Sequence, residues 1–139
     1  MYNIYVQIKR RWKVQNMKNK LYEYEVTKQL NYQFIKRVSI VEETKTFWFE
    51  LIAIDTITNN EIWLIKETKQ LDFERVSWKI KDFLIGIIEV EITNLICDLN
   101  LDYQIEQLDN GFILNGKEFL LKDNKYAELR KKVLKAVKE

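Results

Sequence analysis

Histidine is absent from the 139 residues, and with it go the commonest general base and the commonest side-chain metal ligand. Ser-His-Asp and Cys-His catalytic arrangements are thereby excluded, as are zinc sites that use a histidine. The single cysteine, Cys97, permits no internal disulfide and cannot build an all-thiolate zinc site or an iron-sulfur cluster within one chain. Its neighbours Leu95, Ile96 and Leu99 predict a buried, inert thiol, and the lone cysteine fits a reducing compartment. Glycine occurs only at Gly86, Gly111 and Gly116, too few and too scattered for a phosphate-cradling loop or a dinucleotide fingerprint. Ser39 and Ser77 are the only serines, and neither lies in a nucleophile-elbow pattern. An enzyme built from this chain would have to work with carboxylates, tyrosine or lysine. The expectation is a protein without turnover, cofactor or metal.

No basic segment followed by an apolar run and a small-residue cleavage site opens the chain, so no secretory signal is read. The most apolar stretch, residues 83–97, is broken by Glu89 and Glu91 and is too short to span a bilayer. A soluble cytoplasmic protein with no membrane partner is expected. Lysine greatly outnumbers arginine, Ile and Asn are plentiful, and proline is absent, which suggests an AT-rich bacterial or phage genome.

With 47% hydrophobic and 32% charged residues, the composition is that of an ordinary globular chain and not of a disordered one. At this length a single domain over residues 1–139 is expected, able to bury roughly 68% of its unfolded surface. The clearest periodicity is alternation over Tyr2 to Val14, which predicts a strand with an apolar face and a basic one. Leu21 to Val26 predicts its hairpin partner, with Tyr22, Tyr24 and Val26 turned to the core. Alternation weakens over Leu30 to Val41, where Phe34, Val38 and Ile40 share a face. Thr46 to Asp55 is nearly all apolar, as in a central strand covered on both faces, and the asparagines of Ile57 to Asn60 turn the chain into a returning strand, Glu61 to Glu67. Glu50 is the anomaly in that central strand. It reads either as a functional carboxylate in an apolar wall or as a group near a solvated edge or beside a lysine.

Residues 71–97 fit two patterns. A helix would align Phe73, Val76, Ile80, Phe83, Leu84, Ile87 and Ile88 on one stripe, whereas strands would interleave Val76, Trp78 and Ile80, and then Ile88, Val90 and Ile92, with polar residues. Beyond Gly86 the β-branched density favours a strand with Glu89 and Glu91 pointing together to solvent. A helix to about Leu84 followed by a strand satisfies both. Further on, Tyr103 to Leu108, Phe112 to Leu114 and Glu118 to Leu121 predict short strands, joined by Asn-Gly turns whose glycines, Gly111 and Gly116, supply positive φ. A final helix is predicted with Asp123 or Asn124 as cap, a buried stripe of Tyr126, Leu129, Val133 and Val137, and a Glu128 to Lys132 pair. The fold class expected is α+β: mainly antiparallel sheet in a meander of hairpins, barrel-like if it closes, with a C-terminal amphipathic helix and a central helix near residues 71–84 as the open alternative.

Charge is unevenly spread. Residues 1–40 carry a net +7, residues 41–110 a net −9 and residues 111–139 a net +4, and no Lys or Arg lies between Asp82 and Gly116. Strands of opposite sign could simply neutralise across a sheet. The uneven charge could also steer a charged partner. Two candidate partner-binding groups follow: Lys9, Arg10, Arg11, Trp12 and Lys13 on the basic side, and Glu89, Glu91, Asp98 and Asp102 on the acidic side. The favoured expectation is stoichiometric binding to a protein partner such as a toxin, a nuclease or a defence protein, as an inhibitor, immunity or anti-defence protein does. Nucleic-acid binding through the basic segment, with Trp12 stacking on bases, is one alternative, and a β-barrel that holds a lipid or nucleotide is another. Self-association also stays open.

Overall fold

The structure, a computed structural model, describes residues 19–139. The strand expected over Tyr2 to Val14, and with it Lys9, Arg10, Arg11, Trp12 and Lys13, lies outside the described residues. The described chain is α+β, with two antiparallel sheets and two helices, the second of which is C-terminal. Both sheets are open series of strands with no closure into a barrel among the described residues, so the barrel alternative has no support. Contacts divide the chain into two compact units, separated in sequence between Lys79 and Ile80.

The first unit contains β1 (Asn19–Gln29), β2 (Tyr32–Val41), β3 (Thr46–Asp55) and β4 (Glu61–Glu67), paired in sequence order. The central strand and the hairpin β3–β4 match the sequence reading. Register sets Tyr22, Val38, Phe49 and Glu67 in one row across the sheet and Tyr24, Lys36, Leu51 and Ile65 in the next row of the same face. The opposite face carries the row Glu23, Arg37, Glu50 and Lys66. Phe34, Leu51 and Ala53 on one face and Ile35 and Ile52 on the other are all buried, so the central strands are covered on both sides. Each large apolar side chain so buried contributes about 1.5–3 kcal/mol.

Tyr22 and Tyr24 do not face the core as expected. Both are about half exposed, whereas Glu23 between them is buried. The cause lies on β2, where Arg37 stands opposite Glu23, and this pair rather than the tyrosines takes the interior side.

The turns are held by side chains. Asp55 Oδ1 accepts hydrogen bonds from the backbone N–H of Ile57 at 2.9 Å and of Thr58 at 3.4 Å, and the Asn31 amide donates to the same oxygen at 3.3 Å. Hydrogen bonding, first from Ile57, holds the Asp55 carboxyl below its ordinary range, with slight burial pushing the other way. A lowered folded value means that the stabilisation is complete above the unfolded pKa and is lost as the pH falls through the folded one. Denaturant midpoints of the wild type and of Asp55→Ala are therefore expected to converge on acidification below the ordinary carboxylate range, and a gap independent of pH would contradict this.

Helix α1 (Phe73–Asp98) starts in the first unit and continues into the second. Asp72 caps it, its carboxylate accepting from the Glu74 N–H at 3.3 Å and its carbonyl from the Val76 N–H at 3.0 Å. The strand expected beyond Gly86 is not formed, and the helix runs on to Asp98. Val76, Ile80, Leu84, Ile88 and Ile92 are buried in steps of four, and Val90, which a strand would have put beside Ile88 and Ile92, is exposed. That continuous stripe outweighs the roughly 0.5 kcal/mol of helix propensity lost at each β-branched residue and about 1 kcal/mol at Gly86.

The rest of the second unit is a three-stranded sheet, β5 (Ile105–Leu108), β6 (Gly111–Leu114) and β7 (Lys117–Leu120), followed by α2 (Tyr126–Lys138), which packs against β7. Asn115 and Gly116, at φ 47° and 83°, form the expected turn with both residues in the left-handed region. Gly111 does not have positive φ and is required for a different reason: a Cβ there would collide with the Phe119 carbonyl oxygen and come within 2.9 Å of Leu120 Cα. The predicted stripe of α2 is buried in full, and Lys132 pairs with Glu128 at 3.3 Å. The cap differs from expectation, since Lys125 occupies that position and makes no side-chain capping bond. Tyr103 donates its hydroxyl to the Ala136 carbonyl at 3.1 Å, which ties the segment before β5 to α2.

Candidate functional site

Two sites stand out in the first unit, one on each face of the sheet. On the face that carries Arg37, charges alternate across the four strands as Glu23, Arg37, Glu50 and Lys66. Arg37 donates from Nε to Glu23 at 2.9 Å and from a terminal nitrogen to Glu61 at 3.2 Å. The Trp63 indole N–H donates to Glu50 at 2.8 Å. Glu23, Arg37 and Glu50 are buried, so Glu50 is not at a solvated edge, and its neighbours in register are a guanidinium and an ammonium. Lys66 itself lies 5.2 Å from the centre of the Trp48 ring. Interior charge is tolerable only when it is paired and hydrogen-bonded, and the guanidinium fork satisfies two carboxylates at once. The sequence reading missed Glu23, Arg37 and Glu61. Arg37 shares its strand parity with Ile35 and Ser39, and acids flank it in both sheet directions, but strand pairing had to be known before that signal could be read.

The opposite face is aromatic at its margin. The Tyr22 and Tyr24 rings lie within 8° of parallel with centroids 6.2 Å apart, and the Lys36 ammonium lies 5.7 Å from the centre of the Tyr24 ring. Val38, Phe49 and Leu71 complete a small cleft beside them of about 40 Å³, enough for a few water molecules and too small for an organic ligand. Phe47, on the same face of β3, is also exposed.

The acidic candidates are not brought together. Glu89 and Glu91 lie on a helix, where two residues apart means roughly opposite sides, so they do not point together as the strand reading required. Glu91 is held by Arg130 of α2, whose Nε is 2.8 and 3.0 Å from its two oxygens and whose terminal nitrogen is 2.7 Å from one of them. Hydrogen bonding to Glu91 raises the Arg130 pKa, against burial, which pushes it down. Asp98 ends α1 and Asp102 lies in the following loop, both exposed. Cys97, expected to be buried, is exposed on the last turn of α1, because the helical stripe through Ile88 and Ile92 leaves that position on its outer side. Among the described residues no three His, Cys, Asp or Glu side chains are grouped so as to hold a metal ion, and no helix is long and apolar enough to cross a membrane.

Compared with family models, with curated proteins and with solved structures, the chain matches none.

Proposed function

We propose that this chain is a stoichiometric binding protein of the inhibitor, immunity or anti-defence kind, and that it engages a protein partner through the aromatic face of the four-stranded sheet. The observation that carries this reading is the exposure of Tyr22, Tyr24 and Phe47, at 49%, 43% and 45%, on one face of a sheet that buries Tyr32 and Phe34. Tyrosine and phenylalanine are enriched at protein interfaces because they supply large contact areas at low cost in side-chain entropy. Val38 and Leu51 provide a buried apolar base for them, and Lys36 beside Tyr24 adds one cation. On the opposite face Arg37 is held by Glu23 and Glu61, and Glu50 accepts from the Trp63 indole, which fits a scaffold better than a reacting centre.

The test is purification from the native host, followed by sedimentation of the complex. One dominant protein partner at a fixed stoichiometry is expected, with affinity falling by about 30-fold or more in Tyr22→Ser with Tyr24→Ser, the size of an interface hot spot. A clean monomer that binds nothing but oligonucleotides, or a complex indifferent to both substitutions, would overturn the reading.

A further inference from the structure

The second unit carries a surface that the aromatic face does not explain. On α2, Tyr126, Leu129, Val133 and Val137 are buried, and Lys131, Lys135 and Lys138 are all exposed on the opposite side. The spacing of four and then three residues places these lysines along one line of the helix, about 10 Å long at 1.5 Å per residue. The neighbouring charges are already engaged: Lys132 with Glu128, and Arg130 with Glu91. No ion pair among the described residues involves Lys131, Lys135 or Lys138.

We infer that this stripe binds the phosphate backbone of duplex nucleic acid without reading its sequence. Three polyanionic surfaces could accept such a line of ammonium groups, and the helix itself discriminates among them. An anionic membrane is bound by amphipathic helices that insert an apolar face, and the apolar face of α2 is already buried in the protein. An acidic protein partner needs an apolar centre inside its charged rim, yet the exposed side of α2 offers Ala127, Glu128 and lysines, with no large apolar or aromatic residue among them. A phosphate backbone requires only a row of cations that displaces condensed counterions, and three lysines in line supply that.

The experiment is titration of a fluorescent random-sequence DNA duplex with the full chain over a series of salt concentrations. Binding is expected at low salt, with a slope of log affinity against log salt to which these three lysines contribute about −2.7. Replacing them together, as Lys131→Gln, Lys135→Gln and Lys138→Gln, is expected to weaken binding about tenfold or more at low salt and to flatten the slope by two to three units. The matching triple arginine variant retains both, which separates loss of charge from loss of fold. A control triple at Lys28, Lys45 and Lys69 is expected to bind as the wild type does. Absence of duplex binding at low salt, an unchanged slope in the glutamine variant, or preference for phosphatidylserine vesicles over duplex at equal salt would each overturn the inference. None of these outcomes depends on the aromatic face, so failure here leaves the protein-partner proposal standing and can be told apart from its failure.

Discussion

Arg37→Met is expected to destabilise the protein by about 3–5 kcal/mol, roughly a fifth or more of the 5–15 kcal/mol stability of an ordinary domain. The size follows from what would remain. Glu23, 4% exposed at its side chain, and Glu61, 15% exposed, would lose the guanidinium they share, and Glu50 would lose its cationic neighbour on β2. Two carboxylates held inside a protein without compensation cost far more than the lost attraction alone, because neither can be rehydrated without opening the sheet. Arg37→Lys is expected to recover little, since one ammonium on a shorter stem cannot reach two acids lying in different directions. Adding Glu23→Gln to Arg37→Met removes the more deeply buried of the stranded charges and should restore part of the loss, a coupling that a double-mutant cycle of denaturant midpoints measures. Equal midpoints for the wild type and Arg37→Met would show that the row has no energetic role.

The second large effect is expected at Gly111. Alanine there sets a methyl group against backbone, since the obstructing atoms are the Phe119 carbonyl and Leu120 Cα and not the tip of a side chain that could swing aside. Relief requires β6 and β7 to separate where Gly111 pairs with Leu120, one residue from Phe112, which is completely buried. A cost of about 3 kcal/mol, at the upper end for overpacking, is expected in Gly111→Ala. Gly116→Ala provides the contrast. It meets no atom within 4 Å and suffers only its φ of 83°, so a smaller loss of about 1 kcal/mol is expected. If the two variants melt alike, the close approach at Gly111 is not what the position demands.

Much of the architecture could be read from the residues because local signals and tertiary packing agreed. The hairpin of β3 and β4 and the buried stripe of α2 came directly from alternation, turn asparagines and helical spacing. Where they disagreed, packing won. Beyond Gly86 the β-branched residues speak for a strand, yet Ile85 is buried together with Leu84, Ile88 and Ile92 while Val90 is exposed, a pattern of helical and not of strand period. In β1 the hydrophobic pattern assigns the tyrosines to the interior, but the arginine on the neighbouring strand draws Glu23 inward, and no property of LYEYEV by itself announces that. The candidate sites were harder still. Glu89 and Glu91 form a pair only under the wrong periodicity, and the charged row across β1 to β4 consists of residues far apart in sequence whose relation is created by register.

Cys97, alone of its kind and exposed on the final turn of α1, gives the protein a single chemical handle. A maleimide dye will attach to that one thiol, so the protein can be labelled at a single defined place without an engineered cysteine. The same accessibility means that, stored in air without a reductant, two molecules can be joined sulfur to sulfur, and any dimer seen under those conditions has to be reduced before it is counted as assembly.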